Sequence, residues 1–241
     1  MDSASSSAPA AQTIRIFISS PGDVEPERLK AAQVIDQLGK FYGDTLVLQP
    51  VLWKQMPLEV NKGFQPGIDA VLSADQGIDI AIFILWSRLG TPVTIGDRTY
   101  ASGTEREWHL MLEALAQSGG ERPDILFYRR RDEEGFTTGL AGVKPELLQT
   151  AIDQNRAAES FMQAHFWDQE GKNIRAYHGF QRPIDFATIL KVHLRALIDR
   201  RLTDRVWLRG ASWTEEPYRG LEPFQLEHAP IFFGREAEVS E

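Results

Sequence analysis

Cysteine is absent from the 241 residues. Its absence excludes disulfides, thiolate catalysis and cysteine-ligated zinc, and is compatible with a reducing compartment. Long apolar runs are absent too. The longest, residues 78–86, contains Asp79 and falls far short of the roughly 20 residues a membrane span needs. Positive charge is in deficit: 26 Lys and Arg against 34 Asp and Glu leave a formal charge of −8. That balance argues against a nucleic-acid or anionic-membrane surface, since both need clustered Lys and Arg. Histidine is sparse. None of His109, His165, His178, His193 and His228 stands at metal-ligand spacing from another, so no metal is expected. There is no Gly-x-Ser-x-Gly elbow, no complete phosphate-binding loop and no internal repeat. Residues 1–12 are small and polar, with neither a basic start nor an apolar run. They read as a disordered tail, not a signal peptide, and a cytoplasmic location is expected.

What is present is an alternation of strand-like and helix-like segments. Residues 13–19 are β-branched and read as a strand ending at the turn cluster Ser20-Pro21-Gly22-Asp23. A helix follows, with Pro26 in its first turn, Glu25 and Glu27 at its positive end, and Leu29, Ala32, Ile35 and Leu38 as its expected buried face. Residues 45–53 read as a second strand, placed at an edge or bulge by Pro50. A Pro- and Gly-bearing loop is expected at 54–66 and a helix at 67–72. Residues 79–86 are apolar on both faces and read as a central parallel strand. A loop is expected at 87–103, then a helix presenting Trp108, Met111, Leu112 and Leu115. Residues 124–128 read as a strand, 145–156 and 158–166 as helices, and 173–177 as a last strand. An amphipathic helix over 183–201 is built on Phe186, Leu190, His193, Leu194 and Ile198, with His193 a packed residue. Arg129, Arg130 and Arg131 precede Asp132, Glu133 and Glu134. Their charges largely cancel, and the stretch reads as a solvated loop. The fold class expected is α/β: a flavodoxin-like parallel sheet of about five strands with helices on both faces. Ligands of such sheets sit at the carboxyl ends of the strands.

Four stretches then point to a family. They are Phe17-Ile18-Ser19-Ser20 closing the first strand, Glu27-Arg28 on the first helix, Trp86-Ser87-Arg88-Leu89-Gly90-Thr91 after the central strand, and Ser102-Gly103-Thr104-Glu105-Arg106-Glu107 opening a helix. Together they resemble TIR-like effector domains of the kind fused in front of bacterial STAND NTPases. The resemblance covers roughly residues 13–202, after a tail at 1–12. Residues 203–241, through Pro217-Tyr218-Arg219-Gly220 to Phe232-Phe233-Gly234-Arg235-Glu236, look like the lead-in to the NTPase module. The resemblance therefore implies an N-terminal effector of a larger switch protein.

TIR domains with enzymatic activity cleave the nicotinamide–ribose bond of NAD with one glutamate, usually three residues after a Cys, Trp or similar residue. The matching step here is Thr104-x-x-Glu107, which makes Glu107 the implied catalytic residue and Glu105 its reserve. A carboxylate beside the ribose stabilises the oxocarbenium-like charge of the transition state. A second reading stands beside it: Thr104-x-x-Glu107 is also a capping box, and Ser102-x-x-Glu105 is another. Ser19 and Ser20 are candidate donors to substrate or turn caps. Trp53 and Trp86 are candidate stacking platforms or packed residues, and Phe64 a loop aromatic near the site. Ser87 and Arg88 follow the central strand, where Arg88 could pair with phosphate. The resemblance implies antiphage defence: NAD as a substrate with no resident cofactor, self-association as the trigger, and the downstream NTPase as partner. The alternatives from the residues are a non-catalytic self-association scaffold and a nucleoside-processing hydrolase of similar fold.

Overall fold

The structure is a computed structural model, and it describes residues 12–43, 46–51 and 77–208. The chain divides into two compact units, Met1–Lys191 and Val192–Glu241. The first holds a five-stranded, all-parallel sheet in the order β2-β1-β3-β6-β7. Its strands are β1 (Gln12–Ser19), β2 (Leu46–Val51), β3 (Ile80–Leu85), β6 (Asp124–Arg130) and β7 (His178–Phe180). The expected flavodoxin-like α/β class is therefore observed.

All six residues of β3 are buried, as a central parallel strand requires. β2 is an edge strand and carries Pro50, which could not donate to a ladder on both sides. Alternation along the strands sends Phe17, Phe83 and Phe127 to one face. There they meet α2 (Gly103–Gln117) and α4 (Pro145–Phe166) through Trp108, Phe161 and Phe166. The packing is edge-to-face at Phe83–Trp108, with centroids 5.3 Å apart, and tilted at Phe127–Phe166, 4.6 Å apart. On the opposite face Tyr128 meets Phe186 of α5 (Pro183–Leu208), and α1 (Glu25–Tyr42) comes close enough to β2 that a Cβ on Gly39 would lie 4.0 Å from Leu48. Among the described residues no helix is long and apolar enough to cross a membrane.

Several expectations are corrected. The buried face of α1 is Ala31, Val34, Ile35 and Leu38, while Leu29 is 60% exposed. At about 100° per residue, nine residues place Leu29 half a turn away from Leu38; a ladder of three-residue steps walks off its own face. The expected loop at 87–103 contains a hairpin, β4 (Val93–Ile95) and β5 (Arg98–Tyr100), turned at Gly96 with φ +58°. The expected pair of helices at 145–166 is the single helix α4. A short helix, α3 (Glu133–Ala141), occupies what read as solvated loop. The last strand falls at 178–180, not 173–177. His193 is only partly buried, though Phe186, Leu190, Leu194 and Ile198 are fully so. The expected helix at 67–72 and the lead-in motifs after 208 lie outside the described residues.

Candidate functional site

In this strand order the chain leaves β1 toward β2 and resumes on the other side of β1 at β3, so the topological switch lies between β1 and β3. Ser19 ends β1 there, in register with Phe83. α2 begins after the hairpin, with Ser102 in extended conformation as its N-cap. The Ser102 hydroxyl accepts from the Glu105 amide at 3.0 Å, and the Glu105 carboxylate reaches back to accept from the Ala101 amide at 2.5 Å. Ser102 is thus the N-cap, and Glu105 closes the cap on the Ala101 amide, one residue before the Ser102 amide that a capping box uses. Glu107, two residues on, points to the sheet. Its Oε2 accepts from Ser19 Oγ at 2.5 Å, and the residue is 5% exposed.

Ser20 is engaged differently. Its hydroxyl accepts from Arg28 Nε at 2.8 Å, while another Arg28 nitrogen donates to the Pro21 carbonyl at 2.8 Å. Arg28 is buried, which lowers its pKa, and it staples the turn after β1 to α1. Ser87 donates its backbone N–H and its hydroxyl to Asp23 Oδ2, at 2.9 and 3.0 Å. Trp86 lies beneath the Arg130 guanidinium, 4.0 Å from its ring centre, and its carbonyl accepts from Arg129. Arg130 bridges Glu27, at 3.0 Å, and Asp132, at 2.5 Å. Arg129 is buried against Trp86 and Glu159, so the arginine run ends a strand and builds ion pairs instead of a solvated loop.

Asp23 and Glu27 are buried acids at this rim to which the sequence alone assigns no site role, although Glu27 lies in a family-like stretch. Burial raises the pKa of both, opposed at Asp23 by the Ser87 hydrogen bonds and at Glu27 by Arg130. Asp23 Oδ1 and Glu27 Oε2 have no hydrogen-bond partner among the described residues. Their signal was available: both acids fall within a turn or two of a strand's carboxyl end, where functional carboxylates concentrate. They read instead as turn and dipole residues.

Two cavities open near the ends of β3 and β6. The first, about 380 Å³, is mostly apolar and lined by Trp86, Ser87, Arg88, Phe136, Leu140 and Leu147 among others. The second, about 580 Å³, sets Arg129, Arg130 and Arg131 against Asp132, Glu133 and Glu159 and shares Trp86 and Phe136 with the first. Trp86, Ser87 and Arg88 are therefore brought together. Neither cavity is lined by Ser19 or Glu107. Trp53 and Phe64 lie outside the described residues. The fold also gathers what the histidine spacing did not suggest: His109 and His165 meet beside Glu105. No protein-family model matches this chain, and no curated protein matches it either.

Proposed function

We propose that this chain is a TIR-like effector domain that hydrolyses NAD to nicotinamide and ADP-ribose when copies are brought together. In this reading it works in the cytoplasm as part of an antiphage protein whose downstream STAND-type NTPase drives the assembly. The observation that carries the proposal is the placement of Glu107. Ser102 and Glu105 take over the helix cap, and Glu107 is held instead at the β1–β3 switch by Ser19. Keeping a carboxylate out of water is costly, so a buried acid at a ligand-binding rim is a candidate for chemistry.

The chemistry is balanced without a further reactant. The C–N bond to nicotinamide breaks and its electron pair leaves with the neutral ring. Water forms the new C–O bond at the ribose carbon, and its proton passes to solvent. Glu107 stabilises the oxocarbenium-like charge and accepts hydrogen bonds from the ribose hydroxyls in place of Ser19. The apolar cavity beside Trp86 suits a flat ring, and the second, where Arg129, Arg130 and Arg131 face Asp132, Glu133 and Glu159, suits a polar group. Both volumes fall in the range of small-molecule sites. The test is nicotinamide release by the chain fused to an oligomerising partner, with and without Glu107→Gln. Release by the wild type and a fall of at least about 10²-fold in the variant are expected. Equal rates would remove Glu107 from the mechanism.

One observation favours a second reading. Glu107 is 5% exposed, and neither cavity is lined by it. A non-catalytic self-association scaffold would keep this carboxylate for structure alone. That reading requires assembly without loss of NAD.

A further inference from the structure

Helix α2 carries Glu105 and His109 at i and i+4, and the last turn of α4 brings His165 to them. One carboxylate oxygen and one nitrogen from each ring all lie within 4.8 Å of one another. His165 Nε2 stands 3.9 Å from Glu105 Oε1, and the two imidazole rings meet edge to face with centroids 5.4 Å apart. We propose that Glu105, His109 and His165 form a binding site for a divalent transition metal of the zinc class, and that the bound ion ties α2 to α4.

Two imidazoles and one carboxylate are a three-ligand set that zinc accepts, with water in the fourth position. The same set excludes calcium and magnesium, which take oxygen donors. Tetrahedral zinc with bonds of about 2.0–2.1 Å needs its donors about 3.3 Å apart, so the 3.9 Å gap closes by a small rotation of side chains. All three residues are partly buried, which leaves room for the water and a path of entry.

The ligands are held from behind. Oε2 of Glu105 is held by the Ala101 amide at 2.5 Å, which leaves Oε1 to face His165. The His165 ring packs on Phe161, with centroids 4.5 Å apart, and against Trp108. The His109 ring packs against Tyr100. A ligand whose orientation is fixed before binding loses less freedom when the ion arrives. Arg98, Arg106 and Arg175 oppose a cation here, while Glu113 joins Glu105 in favouring one. The set therefore relies on direct coordination, not on bulk field, and selects metals with strong imidazole affinity: zinc, nickel and copper(II) above manganese.

The experiment uses the untagged full chain, stripped with a chelator and titrated with zinc by calorimetry, then with cobalt(II) followed by its visible ligand-field absorption. One zinc per chain is expected, with a cobalt spectrum of a nitrogen- and oxygen-ligated ion and a rise in thermal midpoint on zinc addition. His109→Ala and His165→Ala should each lower the affinity at least about tenfold. Glu105→Gln should weaken it too while keeping a side-chain acceptor for the cap. His178→Gln, on β7, should leave it unchanged. Absence of zinc uptake by the wild-type chain overturns the proposal without recourse to any variant. So does one-equivalent uptake that survives both histidine changes in folded protein, judged by circular dichroism.

Discussion

Asp23 sits under the rim with one oxygen satisfied by Ser87 and the other without a hydrogen-bond partner among the described residues. Its pKa is raised above 3.8 by burial, so the folded chain holds this proton more tightly than the unfolded one. The sign follows from linkage: where the native state binds more protons, stability falls as pH rises. The loss begins near 3.8 and is complete above the folded pKa. Asp23→Asn removes the titration. Its stability relative to wild type should rise as pH climbs through that window, as read by denaturant unfolding at a series of pH values. A constant difference across the range contradicts the raised pKa. Trp108 offers a second check. It is buried among Phe83, Phe127, Phe161 and Phe166, and its indole N–H has no hydrogen-bond partner among the described residues. Trp108→Ala should cost about 3–5 kcal/mol by cavity formation. Trp108→Phe should cost far less, because only volume is lost. At this scale the glutamates were the least legible residues. Ser102-x-x-Glu105 and Thr104-x-x-Glu107 fit the same pattern, and the choice depends on where the helix starts. The hairpin sets that start by delivering Ser102 in extended form, and the hairpin itself went unread.

Among the elements, those with strong periodicity or strand chemistry were legible. β1, β3 and α5 emerged because a β-branched run, an all-apolar run too short for a buried helix and an apolar ladder at helical spacing each favour one structure. α3 was hidden by its glycines, Gly135 and Gly139, and by the charges before it. The two glycines make a matched test. Gly135 donates to Asp132 Oδ1 at 2.8 Å, and a Cβ there would lie 2.3 Å from Asp132 Oδ2. Nothing lies within 4 Å of a Cβ on Gly139. Gly135→Ala must displace the capping carboxylate from both its amide and Arg130, and should destabilise by about 0.5–2 kcal/mol or more. Gly139→Ala should stabilise by about 0.4–1 kcal/mol through helix propensity and the unfolded chain. Equal midpoints for the two in chemical denaturation would contradict the assigned cap. The arginine run after β6 misled for a related reason. Charges that cancel in sequence were read as exposed, whereas Arg130 neutralises a fully buried Glu27 across the sheet's rim.

At the scale of the whole molecule, alternation of strands and helices was enough to imply a parallel sheet with its functional edge at the strand ends. The structure bears out the parallel sheet and adds the strand order, which places the switch between β1 and β3. What alternation could not convey is how the site divides. Ser19 and Glu107 form one locus, and Trp86, Ser87 and Arg88 another, because the end of β1 faces α2 while the loop after β3 faces α3 and α4. If catalysis is confined to assembled copies, the monomeric chain should leave NAD intact at concentrations where the forced oligomer consumes it. The most direct measurement is nicotinamide release from NAD by the oligomerised chain, comparing wild type with Glu107→Gln in protein shown to be folded. Release that depends on assembly and drops at least about 10²-fold in the variant is expected. Assembly with no release, or release untouched by the loss of the Glu107 charge, would contradict the assignment of this carboxylate to the chemistry.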